Sequence, residues 1–252
     1  MKTTLIMLLI PLFCMTAKAQ IGTIDLRSGI EIVFVAEEDM FPESWTEGEI
    51  NGHAGSLDIS ERKRSKDLVK TALDKYPVSF LKNNLKKIYV LNYLEFYDVE
   101  YGGTNSNDIV YMSNQGEDLG YTDFYLEQLF HHEFSSIILR NYTDVFFNTK
   151  WEAINPDDFI YGQGGVQAIS DDNAGLTFED KYHEQGFLYQ YAMSDSENDF
   201  NSIAENLFYP HPMFWEIYDN YPLVRLKTDL TIKLYHSVNE EFNKDYFLKF
   251  AE

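Results

Sequence analysis

The sequence predicts an α+β fold, and three observations carry that expectation. Runs rich in β-branched and aromatic residues crowd the first half: "GIEIVFVAE" (29–37), "KKIYVLNYLEFY" (86–97) and "IVYMS" (109–113). Helical spacing of apolar residues dominates after about residue 120. Strands concentrated in the first half, with one helical stretch between them, and helices in the second make an α+β chain. The third observation is composition: 44% hydrophobic and 16% aromatic residues are enough for a large core in one domain.

The elements follow in order. "MKTTLIMLLIPLFCMTAKAQ" has an early cation at Lys2, an apolar run from Leu5 to Met15 and the small-x-small triplet Ala17-Lys18-Ala19. That is the order of a cleavable secretory signal, so residues 1–19 are read as a signal peptide and 20–252 as a single domain, exported to the periplasm or the cell exterior. Phe13 before Cys14 is too large for a lipoprotein cleavage site. Cys14 is the only cysteine, so the mature chain is held by its core without disulfides.

After the strand at 29–37 comes the polar loop "FPESWTEGEINGHAGSLD". Ser60 is placed to cap a helix with Leu68, Ala72 and Leu73 on one face, which Pro77 interrupts before the short helix "VSFLKNNL". The strand at 86–97 follows, then "YGGTNSND" as a turn, then "IVYMS". Thr122 or Asp123 caps the next helix, whose Phe130, Phe134, Ile137 and Ile138 recur at i, i+4, i+7 and i+8. Residues 148–187 read as a long polar loop. "SENDFNSIAENLF" (Ser196–Phe208) reads as a helix with Phe200, Ile203, Ala204 and Leu207 inward, and 222–250 as a broken helical tail.

The full chain carries a net charge of -21, and removal of Lys2 and Lys18 leaves 18 basic against 41 acidic side chains. Such an acidic surface argues against nucleic acid and anionic membranes as partners. No stretch approaches the ~20 apolar residues of a membrane-spanning helix.

"LFHHEFSSIIL" (129–139) carries the chemistry. In H-E-x-x-H, two imidazoles one helical turn apart clamp a zinc ion and the glutamate takes a proton from the metal-bound water. Here His132 and Glu133 match, but Ser136 stands where the second histidine belongs. His131 cannot replace it, because adjacent helical residues point about 100° apart. H-E alone is a two-residue match, and a histidine pair held by ordinary hydrogen bonds reads the same way.

The order of motifs adds to this. "ALDKYPVSFLKNNLKKIYVLN", "YGGT", "HHEFSSIILRN", "GFLYQYA" and "ENDFNSIAE" together resemble the zinc-binding metallopeptidase family of secreted bacterial proteins, in the zincin-like group. The resemblance implies a small sheet packed on the HE helix with further helices, and peptide or protein substrates. It places His132 at the first ligand position, Glu133 at the catalytic base and Ser136 at the second ligand. The family's third ligand, a glutamate on the downstream helix, falls on Asn198. Glu197 and Glu205, with Asp199 and His183 behind them, are the residues that can rescue a metal site. The expectation is a degenerate site with no tightly bound zinc, and reduced or absent peptidase activity. The alternative is a non-catalytic extracellular peptide- or glycan-binding protein on the same scaffold.

Other candidates carry less. "YGQGGVQ" lacks the strand–turn–helix setting of a dinucleotide loop. Glu95, Glu100 and Asp171 have no fixed separation for glycoside chemistry. G-x-S-x-G is absent. Trp45, Trp151 and Trp215 can stack on sugars or serve the core.

Overall fold

The structure is a computed structural model that describes residues 21–251, without the side chains of 145 and 146. The expected signal peptide and Cys14 lie outside the described residues.

Seven strands form one mixed sheet: β1 (Gly22–Ile24), β2 (Glu31–Val33), β3 (His53–Ser56), β4 (Lys87–Phe96), β5 (Val99–Tyr101), β6 (Gly103–Asn105) and β7 (Ile109–Ser113). The path runs β1-β2-β4-β7-β6, and β3 and β5 pair with β4 off that path. β4 is the hub. Its first half lies parallel to β2 and β7, with Ile88 opposite Ile32 and Val110. Its second half is flanked by antiparallel β3 and β5. A strand with partners on both edges can afford the apolar, β-branched run that made it legible.

Alternation along β4 divides the core. Ile88 and Val90 face the helices with Val110 and Met112. Tyr89 and Leu91 face the other way, into a smaller cluster with Met40, Phe96 and Tyr111, against which Phe41 and Trp45 pack. The strand expected over 29–37 is shorter. Beyond Val33 the Phe34 N–H donates to Ile21 and its carbonyl accepts from Leu57, so the β4 ladder ends there.

The residues 101–108, read as a turn, instead contain the edge strand β6, antiparallel to β7. The tight turn is earlier, at Tyr97 and Asp98, both with positive φ (56° and 58°). Phe96 pairs with Val99, so these two residues form the loop of a two-residue hairpin, which favours positive φ at both positions.

Among the described residues ten α-helices accompany the sheet: α1 (Arg62–Asp74), α2 (Val78–Asn84), α3 (Asp123–Tyr142), α4 (Val145–Glu152), α5 (Gly165–Ser170), α6 (Asp180–His183), α7 (Ser196–Phe208), α8 (Phe214–Asn220), α9 (Pro222–Val238) and α10 (Lys244–Leu248). α3 is the axis: it lies against β6 and β7, and α7 packs along it. The polar stretch at 148–187 contains the end of α4 and the short helices α5 and α6, and the tail is broken into α9 and α10. None of the described helices is long and apolar enough to cross a membrane.

Candidate functional site

Thr122 caps α3 by accepting from the Tyr125 N–H at 3.2 Å. Arg64 of α1 ties down the same end, reaching Asp123 at 2.7 Å and the Tyr121 carbonyl at 2.9 Å. The predicted stripe Phe130, Phe134, Ile137 and Ile138 is fully buried. The opposite face is enclosed as well, because β6 and α7 cover it. His131, His132, Glu133, Ser135 and Ser136 are therefore all buried, and each needs a partner to offset lost hydration.

The two histidines diverge as helical geometry requires. His131 turns into the core, where Nδ1 meets the Tyr76 hydroxyl at 2.8 Å and Nε2 lies 3.7 Å from Glu127. Burial lowers its pKa to about 4 despite Glu127, so the ring is neutral at pH 7. His132 turns toward α7. Its Nδ1 is 2.8 Å from Glu205 Oε2, and its Nε2 is 3.2 Å from Asn198 Oδ1. Burial opposes charge on this ring too, but the Glu205 carboxylate outweighs it and raises the pKa to about 9. His132 is thus an imidazolium at neutral pH, donating to Glu205 and Asn198. The Asn198 amide is oriented by its own donations to Ser194 and Asp195, both at 2.9 Å, which leave its oxygen free to accept. Tyr189 donates to the second Glu205 oxygen at 2.7 Å.

Glu133 points to the other side, toward β6. Asn105 donates to Oε2 at 2.8 Å, and Arg140 in turn donates to Asn105 at 2.7 Å. Asn105 is thus the partner of Glu133. Burial raises the Glu133 pKa, with Glu197 and Glu205 adding to the rise and His132 and Asn105 opposing it. The edge strand reaches Glu133 only because residue 103 is glycine: a Cβ there would sit 2.8 Å from Oε1 and 2.9 Å from Leu129. Ser136, one turn from His132, accepts from Asn201 at 2.7 Å, and Ser135 donates to the same side chain at 2.5 Å.

Of the carboxylates expected as rescue ligands, Glu205 alone touches His132. Glu197 is exposed and makes no hydrogen bond among the described residues. Asp199 faces away and is fully buried, where Oδ2 accepts from Lys227 (2.7 Å), Trp151 (2.9 Å) and Tyr161 (2.6 Å). His183 is spent on the Leu188 carbonyl at 3.0 Å. Trp151 is a core residue, and Trp45 packs on Phe41 and Phe96, so neither is a free sugar platform. Glu95 pairs with His53 at 2.7 Å.

An open cleft of about 270 Å³ lies over this network. His132, Glu133 and Glu205 form part of its floor, Gly102 and Gly103 of the edge strand one border, and Tyr101, Tyr125, Tyr189 and Tyr191 its aromatic walls. Sequence reasoning missed the tyrosines and Asn105. The tyrosines come from three separate segments, β5, α3 and 189–191, and only "GFLYQYA" marked two of them.

The donor set does not fit a zinc ion. A catalytic zinc needs three protein ligands and an open position. Both nitrogens of the His132 ring are engaged, by Glu205 and Asn198, so a metal would have to displace a proton and one of these partners. Ser136 offers a neutral hydroxyl and Asn198 a neutral amide. Among the described residues no three His, Cys, Asp or Glu side chains come together as a metal-holding group.

No family model matches the chain, and no curated protein does. A solved structure does: the chain is similar to a putative zinc-binding metallo-peptidase from Bacteroides caccae, at 15% identity and TM-score 0.55, over 89% of this chain and 85% of that one. The likeness shows the fold. The α+β, zincin-like scaffold expected from the sequence, a small sheet on the HE helix with further helices, is the one observed.

Proposed function

We propose that this chain is an exported metallopeptidase-like protein whose metal centre has been replaced by a hydrogen-bonded network, leaving the cleft to bind peptide without hydrolysing it. The observation that carries this is the occupation of both His132 nitrogens, by Glu205 at 2.8 Å and Asn198 at 3.2 Å. The three ligand positions that the family resemblance assigns then hold an imidazolium, a hydroxyl and an amide. None of these is a thiolate, a neutral imidazole or a carboxylate, the ligands zinc selects. Glu133 keeps its place, but without a metal-acidified water it lacks a proton donor of matched pKa.

Peptide rather than glycan is favoured by the cleft's border. β6 is an edge strand with one row of backbone groups unpaired in the sheet, and it runs beside His132 and Glu133. An extended peptide can add to such an edge through main-chain hydrogen bonds, with side chains entering the cleft.

The experiment is binding and cleavage of a mixed peptide library by chelator-treated protein, with and without added zinc. The reading expects binding that zinc does not strengthen, and no cleavage in either arm. Zinc-dependent cleavage lost in Glu133→Gln would refute it.

A further inference from the structure

The cleft floor carries a carboxyl oxygen without a protein partner. Glu133 is 7% exposed, and Asn105 holds Oε2, but Oε1 has no hydrogen-bond partner among the described residues. Oε1 is not among the fully buried atoms that lack a partner, so it opens on the cleft, where a ligand's donor can replace its water. Oε1 lies beside Gly103, at the cleft's border, and Glu133 itself lines the cleft.

The rest of the lining points to the same kind of ligand. Glu100 adds a second carboxylate, and no lysine or arginine lines the cleft. The one cation present, His132, is already matched by Glu205. The walls are Tyr101, Tyr125 and Tyr191, whose ring faces attract organic cations. A metal ion would want several convergent ligands, and among the described residues no His, Cys, Asp and Glu side chains gather into such a group.

We propose, building on the reading of the cleft as a peptide site, that it selects a primary ammonium group, with Glu133 Oε1 as the counter-ion and the tyrosine rings as walls. The volume of about 270 Å³ suits one inserted side chain or chain end, not a folded partner. The ammonium can come from a lysine side chain or from a peptide N-terminus; both present the same three donors.

The test uses the mature protein and four tripeptide amides followed by calorimetry. Two are acetylated, with central lysine or central norleucine, which lacks only the ammonium. A third is acetylated with central glutamate. The fourth has central norleucine and a free N-terminus. One ammonium-carrying peptide should bind at least about tenfold tighter than acetylated norleucine, the range of a hydrogen bond to a charged group, and glutamate should bind weakest. Which of the two wins identifies the source. Glu133→Gln should cut that preference to about threefold or less. If that variant fails to fold, the comparison on the natural protein still decides. Equal binding of the ammonium and neutral peptides overturns the ammonium site and leaves the peptide-cleft reading standing. Failure of all four to bind at millimolar concentration overturns both.

Discussion

Glu205→Gln tests the network at its strongest link. The His132 pKa rises from the ordinary 6.5 to about 9 in the fold. A group with a raised folded pKa contributes its stability in full below the unfolded value, and loses it as pH climbs through the folded value. The window is therefore pH 6.5 to 9. At about 1.36 kcal/mol per unit, the pair is worth roughly 3 kcal/mol at pH 6.5, or roughly 6–12 °C of melting temperature for a chain of this size. Glu205→Gln removes the carboxylate, so burial pulls the His132 pKa below 6.5 and the ring becomes neutral. Urea unfolding followed by tryptophan fluorescence should show the variant less stable by about 4 kcal/mol at pH 6.5, the charged pair's share plus that of the neutral hydrogen bonds. At pH 9.5 the gap should shrink to about 1 kcal/mol, the value of neutral hydrogen bonds. Using the difference between the two proteins cancels the lysines and tyrosines that titrate in both. A gap that stays constant from pH 6.5 to 9.5 would refute the charged pair, as would an NMR titration placing His132 near 6.5.

The neighbouring histidine should behave oppositely. The His131 pKa is depressed to about 4, so its contribution is present above 6.5 and lost as pH falls toward 4; His131→Gln should flatten the acid limb of stability from pH 6.5 to 4 while leaving the alkaline limb alone. Lys227→Met strands Asp199 as a buried uncompensated charge and should cost roughly 3–5 kcal/mol by urea denaturation, with most of the loss recovered in Lys227→Met/Asp199→Leu. Gly103→Ala drives a Cβ to 2.8 Å from Glu133 Oε1 and should cost roughly 1–3 kcal/mol by thermal denaturation, with loss of ligand binding in the cleft. Ser136→His/Asn198→Glu places an imidazole and a carboxylate beside His132, and zinc at about a hundredfold its dissociation constant should then raise the melting temperature by roughly 5–10 °C, with no shift in the parent.

What could be read from the sequence follows from the range of the forces involved. The α3 stripe was legible because Phe130, Phe134, Ile137 and Ile138 obey one local period, and they are buried as that period demands. The divergence of His131 and His132 followed from the 100° helical step. That α7 would bring Asn198 and a glutamate to His132 came from the order of motifs, and the contact is real at 3.2 Å and 2.8 Å. Other features depend on contacts between distant segments. Asn105 reaches Glu133 across 28 positions, through a glycine that reads simply as a turn. Asp199 looked like a ligand in its helix, but Lys227, Trp151 and Tyr161 from three other segments claim it. The helices α5 and α6 are only six and four residues long, too short for periodicity to show.

The central claim is that His132 has no coordination left for a metal. The direct measurement is zinc stoichiometry and affinity, by elemental analysis of protein purified without chelator and by competitive titration against a fluorescent zinc chelator. The account predicts well under one zinc per chain and no competition at micromolar zinc. One tightly held zinc per chain, lost in His132→Ala, would contradict it.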